Sequence, residues 1–135
     1  MKIGFIGLGI MGKPMSKNLL KAGYELVVFD FNQAAVKEVQ ECGAEVAASS
    51  KEVAEKSDVV ITMLPNSPHV RAAVLGKDGV AEGAKPGTVV IDMSSIDPTE
   101  SKSIGAALQE KGLDMLDAPV SGGEPKAIDG TLSVM

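Results

Sequence analysis

The sequence predicts one α/β domain in which a mostly parallel β-sheet carries helices on both faces. Apolar runs of strand length alternate along the chain with segments of helical periodicity. Nearly every residue of those runs is apolar, which is typical of strands that are covered on both faces. The chain has 135 residues, a length that fits one domain with its own core and leaves no room for two.

The predicted strands are short apolar runs that end at proline, glycine or polar residues. The clearest run is 58–64 (DVVITML), which Pro65 closes, and the weakest is 44–47. The complete predicted strands are 2–6, 26–30, 44–47, 58–64, 88–92 and 113–117. Residues 131–135 begin one more strand, and no turn or charged tail follows it. We therefore expect the chain to be part of a longer protein.

The predicted helices are marked by boundary residues as well as by periodicity. Gly23 is placed to end the first helix, and Asp97-Pro98 and Gly112 mark the start and the end of the last one. The predicted helices are 11–22, 33–41, 50–55, 67–75 and 97–111. The remaining long connections, 76–87 with room for one helical turn and 118–123, are predicted as loops.

The overall charge narrows the classes of binding partner, and the cysteine content indicates the cellular compartment. Thirteen basic and eighteen acidic side chains give a net charge of -5, which disfavours binding to nucleic acid or to an anionic membrane. No apolar stretch approaches the ~20 residues that a membrane-spanning helix needs. The single cysteine, Cys42, cannot form an internal disulfide, which suits a reducing compartment. We therefore expect a cytoplasmic location.

A glycine motif follows the first predicted strand and opens the first predicted helix: Gly7-Leu8-Gly9-Ile10-Met11-Gly12. In this context, G-x-G-x-x-G is the fingerprint of a Rossmann-type dinucleotide-binding domain. The first glycine permits the tight turn, the second lets backbone N–H groups approach a pyrophosphate, and the third lets the helix pack closely on the strand. The helix N-terminus adds free N–H donors and a partial positive charge. Residues 1–135 are therefore predicted to form a dinucleotide-binding domain.

An acidic residue, Asp30, ends the second predicted strand, eighteen residues after Gly12. An acid at this place accepts hydrogen bonds from the ribose hydroxyls of the adenosine half and repels a 2′-phosphate. The next two residues are Phe31 and Asn32, so no arginine follows that would neutralise such a phosphate. We therefore expect NAD as the cofactor rather than NADP. The alternative role of Asp30 is that of a turn former at the strand end.

Two long motifs resemble the 3-hydroxyacid (β-hydroxyacid) dehydrogenase family. Residues 7–19 (GLGIMGKPMSKNL) are similar to the opening of that family, residues 117–123 (DAPVSGG) to its substrate-loop signature, and residues 130–132 to its usual continuation. The resemblance covers almost the whole chain. Within the family, residues 63–70 and 121–130 are most similar to the branch that reduces tartronate semialdehyde, with the 3-hydroxyisobutyrate branch next.

The resemblance implies reversible hydride transfer between a nicotinamide cofactor and a small 3-hydroxy acid or its aldehyde. Besides the branches named above, glyoxylate and succinic semialdehyde reduction stay open. The resemblance implies that Leu64 and Pro65 lie along the dinucleotide and that Ser95 lies near the nicotinamide. It also implies a substrate loop that binds the carboxylate or the hydroxyl, formed by Ser121, Gly122 and Gly123.

The catalytic lysine of the family, and the asparagine one turn after it, have no counterpart in this chain. The resemblance implies that they belong to a helical C-terminal domain beyond residue 135, which also makes most of the subunit contacts. We therefore expect the parent protein to be a homo-oligomer and this chain alone to be inactive. Lys102, Lys111 and Lys126 do not match the lysine motif.

The placements that the resemblance implies also agree with a general rule for open α/β sheets, in which ligands bind beyond the carboxyl ends of strands. Ordinary structural roles stay open from the residues alone. Residues 121–123 are by composition a flexible loop, Ser94-Ser95 is equally a helix-capping pair, and Leu64-Pro65 is a strand terminator. In the tartronate semialdehyde branch, arginine often follows the acid; Phe31 stands there instead, which supports NAD and offers a ring that can pack against the adenine.

Other residues with reactive side chains are assigned no chemistry. His69 is expected at the surface at a helix start, and Cys42 lies beside Glu41 rather than in an electropositive setting. No cluster of histidine, cysteine and carboxylate side chains predicts a metal site.

Two further hypotheses for the function are a stand-alone dinucleotide-binding module without chemistry and an NADPH-dependent imine or lactam-type reductase on the same scaffold.

Overall fold

The computed structural model describes residues 1–135, in which strands and helices alternate. The strands are β1 Lys2–Ile6, β2 Glu25–Phe29, β3 Glu45–Val46, β4 Val59–Thr62, β5 Val89–Asp92, β6 Asp114–Asp117, β7 Val120–Ser121 and β8 Ser133–Val134. The helices are α1 Gly12–Lys21, α2 Gln33–Glu41, α3 Ser50–Glu55, α4 Ser67–Leu75, α5 Val80–Gly83, α6 Pro98–Gln109 and α7 Gly123–Asp129. None of the helices combines the length and the apolar character needed to cross a membrane.

Six strands form one parallel sheet in the order β3-β2-β1-β4-β5-β6. Because all six run in the same direction, their carboxyl ends lie at one edge of the sheet. The strand order reverses between β1 and β4, and in open α/β sheets the crevice beyond such a switch point is where ligands bind. The predicted doubly wound, Rossmann-type α/β fold is confirmed.

The core consists of two apolar layers, one on each face of the sheet. Neighbouring strand residues contribute to opposite layers: Val27 and Val60 to one, and Val28 and Ile61 to the other. Helices α1 and α2 cover the second layer, and helices α3 to α6 cover the first. This double cover explains why the strands read as continuous apolar runs.

Four helices begin at a residue whose side chain caps the free N–H groups of the first turn. Asn32 caps α2, Ser49 caps α3, Asn66 caps α4 and Asp97 caps α6, each by accepting at least one backbone hydrogen bond. The sequence left Ser49 and Ser50 open as the cap of α3, and the structure assigns Ser49; Asp97 is confirmed as the residue that opens α6. Helix α1 begins differently, at Met11, which offers no side-chain cap.

The structure differs from the sequence-based prediction mainly after β6. Residues 118–123 were predicted to be a loop, but Val120–Ser121 forms β7, which pairs antiparallel with β8 in a ribbon separate from the main sheet. Helix α7 was not predicted at all. Only Ala127 of this helix is buried, so the segment carries no apolar periodicity that could have revealed it. The last predicted strand is real but shorter, and it does not join the sheet.

Helix α7 is held against α1 by one polar side chain. The Asn18 Nδ2 group of α1 donates to the carbonyl oxygens of Ala127 at 2.7 Å and of Ile128 at 3.3 Å. The left-handed residue that ends α7, Gly130 (φ 75°), lies next to the same asparagine. These contacts anchor the C-terminal end of α7 on the α1 side of the domain.

Candidate functional site

The three glycines of the 7–12 turn play different structural parts. Gly7 has a φ of 102°, a conformation that favours glycine, and a Cβ there would overlap the carbonyl oxygen of Met63. A Cβ on Gly12 would overlap the carbonyl oxygen of Gly7, so α1 packs directly on the turn. A Cβ on Gly9 would meet no atom within 4 Å. The outer glycines are thus required by packing, and Gly9 faces open space.

The N-terminus of α1 presents uncapped backbone amides at this open position. The helical hydrogen bonds start with the Lys13 N–H, which donates to the Gly9 carbonyl at 3.0 Å, so the amides that precede Lys13 lie at the free end of the helix. The neighbouring helices α2, α3, α4 and α6 each have a side-chain cap, whereas α1 has none. Free N–H groups at a helix N-terminus, together with the helix dipole, form a binding site for an anion such as a phosphate.

The Asp30 carboxylate lies beside this turn, one residue after the end of β2. Its Oδ2 accepts a hydrogen bond from the Leu8 N–H at 2.6 Å, and its Oδ1 accepts one from the Asn32 N–H at 2.7 Å. The carboxylate therefore links the glycine turn to the end of β2. Because each carboxylate oxygen can accept more than one hydrogen bond, Asp30 keeps capacity for hydroxyl donors of a ligand.

An exposed aromatic ring follows the acid. Phe31 is 89% exposed, and its ring stands edge-to-face against that of Phe29, with centroids 5.2 Å apart and an interplanar angle of 73°. Such an arrangement orients the Phe31 ring without burying it. An exposed, oriented aromatic side chain at a cleft is suited to contact a flat heterocycle.

A cleft of about 520 Å³ opens beyond the carboxyl ends of β1 to β4. It is lined by five of the residues for which the sequence predicts a cofactor contact: Gly7, Asp30, Phe31, Leu64 and Pro65. A further wall of the cleft, the α4 wall, is formed by His69, Ala72 and Ala73 of α4 and by Gly76 and Lys77 directly after it; Ser49 also lines the cleft. The volume lies in the range of small-molecule and cofactor sites. Sequence reasoning missed this α4 wall, which lacks strong amphipathic periodicity.

Nine other predicted site residues do not line the cleft: Leu8, Gly9, Ile10, Met11 and Gly12 form the turn beside it, and Ser95, Ser121, Gly122 and Gly123 lie elsewhere. Ser95 is exposed and follows β5, at the same edge of the sheet. Ser121, Gly122 and Gly123 are exposed at the β7–α7 junction, where both glycines adopt positive φ values of 133° and 68°. The structure thus groups the turn, the acid and the Leu64-Pro65 segment, and it does not bring Ser95 or residues 121–123 into the same cavity.

A buried polar cluster lies at the ends of β4 and β5 and contacts the cleft-lining residue Leu64. The Asp92 Oδ1 accepts hydrogen bonds from the Thr62 hydroxyl at 2.9 Å and the Ser94 N–H at 3.1 Å, and the Ser94 Oγ accepts one from the Leu64 N–H at 2.8 Å. Asp92, Thr62 and Ser94 are fully buried. Burial raises the pKa of the Asp92 carboxyl above its usual value, although the hydrogen bonds from Ser94 and Thr62 act in the opposite direction. No role was predicted for Asp92 from the sequence; the available signal is an acid that ends an otherwise apolar strand.

The other reactive side chains lie where the sequence suggested. His69 is exposed in the first turn of α4, and its Nδ1 lies 2.6 Å from the Asn66 Oδ1. That oxygen also accepts the His69 backbone N–H, so His69 Nδ1 is the donor of the side-chain contact when the ring is neutral. Cys42 is a free, exposed thiol. No group of three or more histidine, cysteine and acidic side chains is arranged to hold a metal ion.

Known proteins that are similar in sequence to this chain are dehydrogenases or their NAD-binding domains. The family described as the NAD binding domain of 6-phosphogluconate dehydrogenase matches residues 2–135. The NAD-dependent L-serine dehydrogenase of Pseudomonas aeruginosa is 52% identical over 134 residues, which cover 99% of this chain and 45% of that protein. Human mitochondrial 3-hydroxyisobutyrate dehydrogenase is 46% identical over 133 residues, which cover 98% of this chain and 40% of that protein.

A solved structure has the same fold. The Mycobacterium tuberculosis 3-hydroxyisobutyrate dehydrogenase with L-serine is 40% identical and superimposes with a TM-score of 0.93, covering 99% of this chain and 45% of that one. The chain thus spans less than half the length of each of these proteins.

The glycine geometry predicts that two alanine substitutions in the same turn differ in their effect on stability. Gly12→Ala forces a methyl group against the Gly7 carbonyl and should lower the free energy of unfolding by about 1–3 kcal/mol. Gly9→Ala, where the space is open and φ is not positive, should change it by less than about 0.5 kcal/mol. Urea unfolding monitored by circular dichroism compares the two. Equal losses would contradict the assigned packing roles.

Proposed function

This chain belongs to the family of NAD-binding domains of 6-phosphogluconate dehydrogenase, and on that premise we propose that it holds NAD for the reversible oxidation of a small hydroxy acid. The observation that carries the proposal is the uncapped N-terminus of α1, with open space over Gly9, directly beside a cleft that Asp30 lines. The residues fit a dinucleotide, because amides, acid and cleft follow one another along a single edge of the sheet.

The pyrophosphate is proposed to bind the amides of the glycine turn. Gly9, Ile10, Met11 and Gly12 contribute backbone N–H groups, and Leu8 contributes its position through its hydrogen bond to Asp30. The missing Cβ of Gly9 is needed for close approach of the phosphate oxygens. These interactions are independent of the nicotinamide and therefore apply to the oxidised and the reduced cofactor alike.

The adenosine half is proposed to occupy the cleft between the end of β2 and α4. Asp30 would accept hydrogen bonds from the ribose hydroxyls, and its charge would repel a 2′-phosphate. Phe31 would contact the adenine, and Leu64 and Pro65 would line the opposite side of the dinucleotide. This arrangement favours NAD over NADP, because the charge that a 2′-phosphate would meet first is negative.

The reacting end is proposed to lie towards β5 and β7. When bound, the nicotinamide ring supplies or accepts the hydride. Ser95 would hold the nicotinamide end, and Ser121, Gly122 and Gly123 would bind the substrate carboxylate through a hydroxyl and backbone N–H groups. The lysine that protonates the carbonyl oxygen is proposed to lie outside residues 1–135, in a helical domain that also joins the subunits of a homo-oligomer.

The substrates named for the similar proteins suggest one chemical class. L-Serine and 3-hydroxyisobutyrate share a carboxylate and a primary alcohol on the β-carbon, and they differ only in the group on the α-carbon, which is an amino group in one and a methyl group in the other. We place the substrate of the intact protein in this class. Within it, glycerate, formed from tartronate semialdehyde, carries a hydroxyl at the α-carbon and is the substrate that the 63–70 and 121–130 segments favour. 3-Hydroxyisobutyrate is the alternative.

Two further features of the protein stay predictions. The cytoplasmic location is expected from the sequence alone, and a 46% identical human relative is mitochondrial. A stand-alone module that binds NAD without catalysis is the non-enzymatic alternative, and a gene whose product ends near residue 135 would favour it.

The charge of Asp30 predicts the cofactor preference. Isothermal titration calorimetry should show NADH binding at least tenfold more tightly than NADPH, about the size of one unfavourable charge contact. Asp30→Ser should reduce that preference by weakening NADH and relieving the repulsion of NADPH. Asp114→Asn removes an exposed acid of β6 outside the cleft and should leave both affinities unchanged. Equal affinities in the native chain would contradict the assignment.

Catalysis is predicted to require residues outside this chain. With NADH and tartronate semialdehyde, or with NAD and L-serine or 3-hydroxyisobutyrate, the 135-residue chain should show no turnover above background while it still binds the cofactor. The measurement is the change of NADH absorbance. Clear turnover with any of these substrates would show that residues 1–135 contain a proton donor that the site described above lacks.

A further inference from the structure

The buried carboxyl of Asp92, at the end of β5, lowers the stability of the fold. Asp92 is fully buried, only its Oδ1 has hydrogen-bond partners, and its Oδ2 has none. No lysine, arginine or histidine pairs with it, and the residue opposite it on β6 is the acidic Asp117. Burying a carboxyl without full hydrogen bonding costs free energy, and the raised pKa of Asp92 reflects that cost. An apolar residue such as the buried Val90 would serve packing better.

Asp92 holds the backbone turns that follow β4 and β5, beside the proposed cofactor cleft. Its Oδ1 receives the Ser94 N–H, and the Ser94 Oγ in turn receives the N–H of Leu64, which lines the cleft. The same Oδ1 receives the hydroxyl of Thr62, which precedes Met63. The Met63 carbonyl lies against Gly7. Through Thr62 and Met63, the Asp92 Oδ1 is therefore connected to the glycine turn.

We propose that Asp92 is a positioning residue of the cofactor site, which fixes the turns after β4 and β5 through Thr62 and Ser94 so that Leu64-Pro65 and Ser95 meet the dinucleotide in one geometry. The inference rests on the proposed function, because it assumes that the cleft receives NAD. Asp92 touches no ligand itself. It acts through Ser94, whose two hydrogen bonds join the β5 turn to the β4 turn.

A buried serine far from the cleft allows an effect on cofactor positioning to be distinguished from an effect on fold stability. Another buried hydroxyl, that of Ser57, donates to the Val53 carbonyl at 2.6 Å near the opposite end of the sheet, just before β4. Loss of that bond affects the fold without touching the cleft. Ser57→Ala is therefore a matched control for Ser94→Ala, since each removes one buried serine hydroxyl.

The test compares Asp92→Asn, Asp92→Leu, Ser94→Ala, the Asp92→Leu/Ser94→Ala double variant and the Ser57→Ala control by calorimetric titration with NADH. Asp92→Asn keeps the Oδ1 acceptor and should bind within twofold of the native chain. Asp92→Leu and Ser94→Ala should each weaken binding about tenfold, the size of one lost buried hydrogen bond. The double variant should be no weaker than Asp92→Leu, because both changes break the same connection. Ser57→Ala should bind as the native chain does.

Native affinity in folded Asp92→Leu, or strictly additive losses in the double variant, would overturn the proposal. If Asp92→Leu does not fold, Ser94→Ala decides, and native affinity there would overturn it as well. Hydrogen exchange of the Leu64 amide provides a readout without ligand: protection should fall in Ser94→Ala and persist in Asp92→Asn and Ser57→Ala. Unchanged Leu64 protection in Ser94→Ala would refute the positioning role, whereas failure of the native chain to bind NADH would refute the proposed function alone.

Discussion

The close approach of α1 to the end of β1 sets the geometry at the carboxyl edge of the sheet. The turn between them is so tight that a methyl group on Gly12 would overlap the Gly7 carbonyl, and one on Gly7 would overlap the Met63 carbonyl. Because the helix starts at the strand end, its uncapped amides open at the point where the strand order reverses. The acid after β2, the Leu64-Pro65 segment and the α4 wall are then placed around the same opening by the parallel register of the strands.

Much of this arrangement is encoded locally and was therefore predictable. The G-x-G-x-x-G spacing, an acid eighteen residues later and apolar runs separated by helical segments predicted the fold, the glycine turn and NAD as the cofactor. Where local signals are weak, prediction was wrong or incomplete. Helix α7 buries a single side chain and is held by Asn18 from a helix more than a hundred residues away in sequence, a contact that no local pattern reveals.

The polar cluster around Asp92 illustrates a second limit. Its members lie on β4 and β5 or just after them, and each alone resembles an ordinary strand-end residue. Their connection depends on the register that sets Thr62 opposite Asp92 and on the turn that returns Ser94 towards Leu64. Tertiary hydrogen bonds of this kind follow from strand order, which the sequence did not specify residue by residue. The proposed substrate loop is a related case: Ser121, Gly122 and Gly123 match a motif, but their surroundings in this chain are largely solvent.

The proposed NAD site depends on binding of the pyrophosphate by the backbone amides of the glycine turn, and amide-resolved NMR tests this interaction directly. In a titration of the ¹⁵N-labelled chain with NADH, the largest shift changes should occur at the amides of Gly9, Ile10, Met11 and Gly12, with smaller ones along the Asp30 and Leu64 segments. Adenosine diphosphate, which retains the diphosphate and lacks the nicotinamide, should move the same turn amides. Shift changes confined to other parts of the chain, with the turn amides unmoved at saturation, would contradict the proposed NAD site.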